Sequence, residues 1–189
     1  MKNKIKLMLI ISTILLFTTG CFEFSFKLGD EEATEIEKPE NEVQTYEDTG
    51  YTINYPNDWI YEKPQDHIVI FSGETGTEAY NSTVNVQIIE LGALYNNLED
   101  LYEDYSAQIN SVNGTISNMN EDYFIQNEET FNSISFYSEY EDTINFKQFI
   151  VVIDREDGYL QQLNYTSPKD IYEKYENIAL EIINSVKIK

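Results

Sequence analysis

Cys21 is the only cysteine in the chain, and its neighbours define the chemistry open to it. Thr18, Thr19 and Gly20 precede it directly, small side chains of the kind a signal peptidase needs beside the scissile bond. Cleavage there leaves a cysteine at the new N-terminus, where its thiol can be acylated. Upstream, Lys2, Lys4 and Lys6 form a positive segment, and Leu7 to Phe17 is a mostly apolar stretch of eleven residues. A helix needs about 20 apolar residues to span a bilayer, so residues 1–20 read as an export signal and Cys21 as a lipidation site. Thr18 stands where a leucine is commoner in such signals. The competing readings are an ordinary secretory signal and an uncleaved anchor running on through Phe22, Phe24 and Phe26. Each buried methylene contributes about 0.8 kcal/mol, so two or more acyl chains would hold the protein firmly at the membrane. The expected location is the extracytoplasmic face of the cell membrane.

The remaining reactive side chains are sparse. His67 is the sole histidine, so any serine–histidine–acid arrangement would have to use it. It opens an apolar stretch beside Asp66 with no nucleophile motif nearby. With Cys21 acylated, neither an intramolecular disulfide nor a thiolate metal site is possible. Carboxylates cluster at Glu99-Asp100, Glu103-Asp104, Glu139 to Asp142 and Asp154 to Asp157. None of these runs has the spacing of a calcium loop, and a solvated surface is the simpler reading. No phosphate-binding loop is present, and no catalytic, cofactor-binding or metal-ligating residue is assigned. The expected role is therefore a non-enzymatic binding or accessory protein. A hydrolase working through two carboxylates is the alternative, although nothing in the sequence selects the pair. Among 15 tyrosines, Tyr102, Tyr105, Tyr172 and Tyr175 fall on or near helical core faces. Tyr80, Tyr137 and Tyr140 have polar neighbours and are candidates for a recognition surface.

Charge narrows the partners. The chain has 12 basic and 34 acidic residues. Removing residues 1–20 leaves nine basic residues against 34 acidic, a formal charge of −25. Such a surface repels phosphate backbones and anionic headgroups, which excludes nucleic acid as an expected partner. A lipid anchor, another envelope protein or a basic partner remain compatible with it.

Composition and periodicity then divide the chain. Residues 21–46 carry Asp30, Glu31, Glu32, Glu35, Glu37, Glu40 and Glu42 with few aliphatics, and read as an acidic flexible tether. Residues 47–189 are long enough for one self-sufficient domain. Tyr51 to Tyr55 alternates with period two and predicts a strand broken at Pro56-Asn57-Asp58. Trp59 to Tyr61, His67 to Ser72 and Ser82 to Ile89 predict further strands, with a loop over 73–81. Leu94, Leu98, Leu101, Tyr105, Ile109 and Val112 define one helical face, ended by Asn113-Gly114 with the glycine as a left-handed cap. Extended segments follow at 115–127, 130–140 and 144–153, then a turn at Asp154 to Gly158 and a strand at Tyr159 to Thr166. Ser167-Pro168-Lys169-Asp170 predicts a helix start with Ser167 as N-cap, and Ile171, Tyr175, Ile178, Ile182 and Val186 form the buried face. Strands joined by short links with two amphipathic helices make an α+β domain, an antiparallel sheet flanked by helices.

The opening run Tyr51-Thr52-Ile53-Asn54-Tyr55-Pro56-Asn57-Asp58-Trp59 resembles the Mog1/PsbP-like superfamily, in particular its small bacterial and archaeal PsbP-like lipoproteins. So does the ending, where Leu163-Asn164-Tyr165-Thr166 leads to a terminal helix closing on Ile182-Ile183-Asn184-Ser185-Val186. The serine-aromatic ending common in such chains is Ser185-Val186 here. The resemblance covers residues 47–189 by element order and implies an α/β/α sandwich. Members of that superfamily include a photosystem oxygen-evolving subunit and a small-GTPase-binding nuclear protein, so it implies binding roles and no single chemistry.

Overall fold

The computed structural model describes residues 43–140 and 145–189. Cys21, the export signal, the tether up to residue 42, and Glu141 and Asp142 of one acidic cluster lie outside them. Three strands open the domain: β1 (Val43–Glu47), β2 (Tyr51–Pro56) and β3 (Trp59–Gln65). Next come β4 (Ile68–Gly73), a short 3-10 turn (Glu78–Asn81) and β5 (Thr83–Glu90). Helix α1 (Leu98–Ser111) precedes β6 (Gly114–Glu121), β7 (Ile125–Gln126), β8 (Glu129–Thr130) and β9 (Ser133–Tyr140). The chain ends with β10 (Phe146–Asp154), β11 (Tyr159–Pro168), α2 (Tyr172–Asn184) and β12 (Lys187–Ile188).

A seven-stranded antiparallel sheet runs β3-β4-β5-β11-β10-β9-β6, and a smaller sheet runs β1-β2-β12. Alternation sets two faces on the large sheet. On one, Val69, Phe71, Val84, Val86, Phe149, Val151, Leu163 and Tyr165 pack with Ala179, Ile182 and Ile183 of α2 and with Tyr51 and Ile53 of the small sheet. On the other, Ile134, Phe136, Ile150 and Val152 are buried, and α1 lies over β6, β9 and β10. There the rings of Tyr102 and Tyr105 meet Phe136 edge-on at 5.4 and 6.1 Å. A helix on each face of an antiparallel sheet is the α+β arrangement expected from the sequence.

Several local expectations change. The fold includes residues ahead of Glu47: β1 pairs along its whole length with β2 and buries Tyr46 against Tyr61 and Phe71. The left-handed residue after α1 is Asn113, with φ 56°, and not Gly114. Gly114 is needed for closeness instead: a Cβ there would sit 2.7 Å from Ile109 Cγ2 and 3.0 Å from the Glu139 carbonyl oxygen. Ser167 does not cap α2. It continues β11 opposite Lys147, and its hydroxyl shares a 2.8 Å hydrogen bond with Ser82. Pro168 carries the chain out of the sheet, and the helix begins after Ile171. The expected helical face loses both ends: Leu94 lies in the turn before α1 and Val112 after it is exposed, while Asn97 Oδ1 caps the helix by accepting from the Asp100 N–H at 2.8 Å.

Candidate functional site

The α1 side of the sheet carries buried polar side chains as well as apolar ones. Strand register places Ser72, Thr83, Thr166, Gln148 and Ser138 in one row across β4, β5, β11, β10 and β9. Two further cross-strand pairs, Asn85 with Asn164 and Gln87 with Gln162, continue it down β5 and β11. All nine side chains are uncharged hydrogen-bonding groups, and each residue is buried to 9 % exposure or less. The alternation that sends Val84, Val86, Leu163 and Tyr165 into the core on one side necessarily gathers these residues on the other.

Gln148 joins the row together. Its Oε1 accepts from the hydroxyls of Tyr140 at 2.8 Å and Ser138 at 3.2 Å. Its Nε2 donates to Thr166 Oγ1 at 3.0 Å, and that hydroxyl donates to Asn164 Oδ1 at 3.3 Å. Tyr105 of α1 is hydrogen-bonded to Gln162 at the border of the helix cover. Burial pushes the Tyr105 and Tyr140 hydroxyls above their ordinary pKa, so both stay protonated donors at neutral pH. The chain stops at β5. Thr83 Oγ1 and Asn85 Oδ1, beside Thr166 and Asn164, are buried and have no hydrogen-bond partner among the described residues. An unpaired buried polar atom costs about 1–3 kcal/mol, so these two are a local cost to the fold. Other buried polar atoms without a partner, on Trp59, Arg155, Gln161 and Tyr172, lie outside this row.

The residues singled out by sequence do not converge here. His67 is exposed in the turn between β3 and β4, where its carbonyl accepts from the Ile88 N–H. Glu99, Asp100, Glu103 and Asp104 lie on α1, where Asp104 accepts from the Tyr95 hydroxyl and Asp100 from Asn96. Glu139 pairs with Lys147 at 3.4 Å, and Arg155 pairs with Asp157 in the β10–β11 turn. Among the described residues no group of three or more His, Cys, Asp or Glu side chains is placed to hold a metal ion. Tyr80, Tyr137 and Tyr140 do not share a surface. Tyr80 is exposed within the 3-10 turn, Tyr137 packs on Phe149 on the α2 side, and Tyr140 is buried on the α1 side with its hydroxyl on Gln148. The polar row itself carries no sequence motif. Its only sequence signal is the alternation Thr83-Val84-Asn85-Val86-Gln87 matched by Gln162-Leu163-Asn164-Tyr165-Thr166.

No family model and no curated protein matches the sequence. Solved structures do match in fold. The solution structure of PsbP from the cyanobacterium Synechocystis (CyanoP) aligns with a TM-score of 0.55 at 17% identity, covering 86% of this chain and 99% of that one. A variant of the protein Mog1 aligns at 0.50 with 11% identity, covering 78% of this chain and 96% of that one. A Pseudomonas aeruginosa protein of unknown function aligns at 0.51 with 10% identity, covering 77% and 96%. The chain has the Mog1/PsbP-like fold, as the resemblance implied. Identities this low speak to the fold alone.

Proposed function

We propose that the protein is a lipoprotein held by acylated Cys21 on the extracytoplasmic face of the cell membrane, where its domain acts as a non-enzymatic binding or accessory protein. The observation that carries the binding part is the buried polar row. It offers hydrogen-bond donors and acceptors but no carboxylate, histidine, thiol or lysine with which to move a proton or attack a carbonyl. The anchor part rests on Thr18-Thr19-Gly20-Cys21 after a short apolar segment. Among the described residues no helix is long and apolar enough to cross a membrane. With a surface this acidic, a tether and not attraction to anionic lipid would keep the domain in place, and a basic or neutral partner fits best.

Fractionation of cells expressing the wild type and Cys21→Ser tests the anchor. The wild type should sediment with membranes and the variant should be released. A variant that stays membrane-bound and retains residues 1–20 contradicts lipid anchoring. Capture of an envelope component, set beside a glycan-hydrolysis screen, tests the binding role against a two-carboxylate hydrolase. Turnover that disappears on replacing particular acidic residues would reject the non-enzymatic reading.

A further inference from the structure

We propose that the outer edge of β1 docks a basic, extended peptide segment of a partner protein, which adds to the small sheet as a further strand. This names the place and mode of contact for the binding role above and rests on that reading. Among the described residues β1 ends its sheet, and the register shows which backbone groups point outward. The Asn54 N–H donates to Ser185 Oγ at 2.8 Å, and the Asn54 carbonyl accepts from that hydroxyl at 3.1 Å. Asn54 therefore turns its backbone groups away from β1. Thr45, its partner across the pair, directs its own N–H and C=O away from β2, and alternation gives Val43 and Glu47 the same direction. Pro56, opposite Val43, has no N–H to offer, which fits the same phase. Gln44 and Tyr46 hold the ladder with Tyr55 and Ile53, while Val43, Thr45 and Glu47 present donors and acceptors at the edge.

Edge strands are ordinarily blunted against added strands, and the longer edges elsewhere among the described residues are. On β3 the register slips between Glu62 and Gln65, where Lys63 and Pro64 interrupt it. On β6 it slips between Ser117 and Asn120, with Asn118 in the left-handed region at φ 52°. The outer edge of β12 is taken by a side chain. Gln126 Nε2 donates to the Ile188 carbonyl at 2.9 Å, and Gln126 Oε1 accepts from the Ile188 N–H at 2.7 Å. β1 carries none of these devices: its register is unbroken over five residues, without proline or lysine. Two observations select the occupant. The ring of Tyr61 on β3 meets Tyr46 edge-on at 4.9 Å and is 48% exposed, so half-open aromatic surface borders the strand. A lysine or arginine on the Tyr46 face of an added strand can lie over that ring. The second is charge. Lys63 and Lys189 already pair with Asp48 and Glu47, so the attraction comes from the surface as a whole, −25 without residues 1–20. A second copy would set −25 against −25 and, about a two-fold at Thr45, Val43 against Glu47. The field that opposes self-pairing draws a basic segment.

The experiment uses the full acylated protein, isotopically labelled, in micelles of a non-ionic detergent at about 0.15 M salt, where attraction beyond about 8 Å is screened. The probe is an end-blocked peptide alternating lysine with valine. One control replaces its lysines by glutamate. A second keeps the charge but is N-methylated throughout, so that it has no backbone donor. The proposal predicts that the lysine peptide shifts the backbone amide signals of Val43, Thr45 and Glu47 and slows their hydrogen exchange. Both controls should bind at least about tenfold more weakly. Thr45→Pro removes one outward N–H without touching the ladder to β2, a place where an edge strand tolerates proline. It should stay folded and weaken binding roughly tenfold. If Thr45→Pro does not fold, the comparison of the peptides decides alone. The proposal is overturned if the lysine peptide leaves these amides unmoved, if either control binds as well, or if folded Thr45→Pro binds as the wild type does. Concentration-dependent shifts of the same amides without peptide would give the edge to a second copy and overturn it too. Membrane retention and capture of an envelope component are read separately. A silent titration beside a positive capture rejects the β1 edge and leaves the binding role standing. A positive titration without Cys21-dependent retention rejects the anchor alone.

Discussion

Gln148 is the side chain on which the polar row depends. Its amide accepts two hydroxyl donors from β9 and donates to Thr166 on β11, so one residue bridges three strands through side chains alone. Gln148→Ala would strip the Tyr140 hydroxyl of its acceptor and leave Ser138 and Thr166 short of a partner, all of them buried. Such a loss should cost about 2–3 kcal/mol in a urea titration. A loss below about 0.5 kcal/mol would mean that water replaces the amide without penalty and that the row is wetter than its burial indicates. The contrast with Thr83→Val is informative. Both residues lie in one row, but only Gln148 is fully engaged, so truncation should destabilise at Gln148 and not at Thr83.

Secondary structure shows where sequence reading succeeds and where it stops. The strands at Tyr51–Pro56, Thr83–Glu90 and Tyr159–Pro168 were legible because alternation is a local property. The face of α1 was legible for the same reason, with Leu98, Leu101, Tyr105 and Ile109 buried at helical spacing. Two things were not legible. One is the fate of Ser167: serine before proline is a good helix start, but pairing across to Lys147 extends the strand and turns the hydroxyl toward Ser82. Local capping preference lost to a long-range contact 85 residues away in sequence. The other is the candidate site. Polar residues alternating with valines read as a solvated face, and only the neighbouring of β5 with β11 and β10 stacks them into one buried array. A double-mutant cycle on Ser82→Ala and Ser167→Ala tests the first point. The two should couple by about 0.5–1.5 kcal/mol, whereas independent effects would return Ser167 to a capping role.

On the scale of the whole molecule, tyrosine burial governs the response to alkali. Desolvation pushes the Tyr165 phenol up to about 12, and burial also raises Tyr51, Tyr95, Tyr105 and Tyr172. A phenol whose folded pKa exceeds its unfolded value near 10 contributes its full stabilisation below about pH 10 and loses it as pH climbs to the folded value. For Tyr165 alone this is on the order of 2–3 kcal/mol. The melting temperature should therefore fall steeply between about pH 10 and 12, with tyrosinate absorbance rising in the same cooperative transition. Smooth ionisation of all the tyrosines near pH 10 in a protein that stays folded would contradict this burial.

The proposed function separates delivery from recognition: an acylated Cys21 would hold the membrane and the folded domain would meet the partner. The most direct test is the intact mass of the protein extracted from membranes. The account predicts a chain starting at Cys21, lacking residues 1–20 and carrying acyl groups on its first residue. An unacylated chain, or one that still holds residues 1–20, would contradict it.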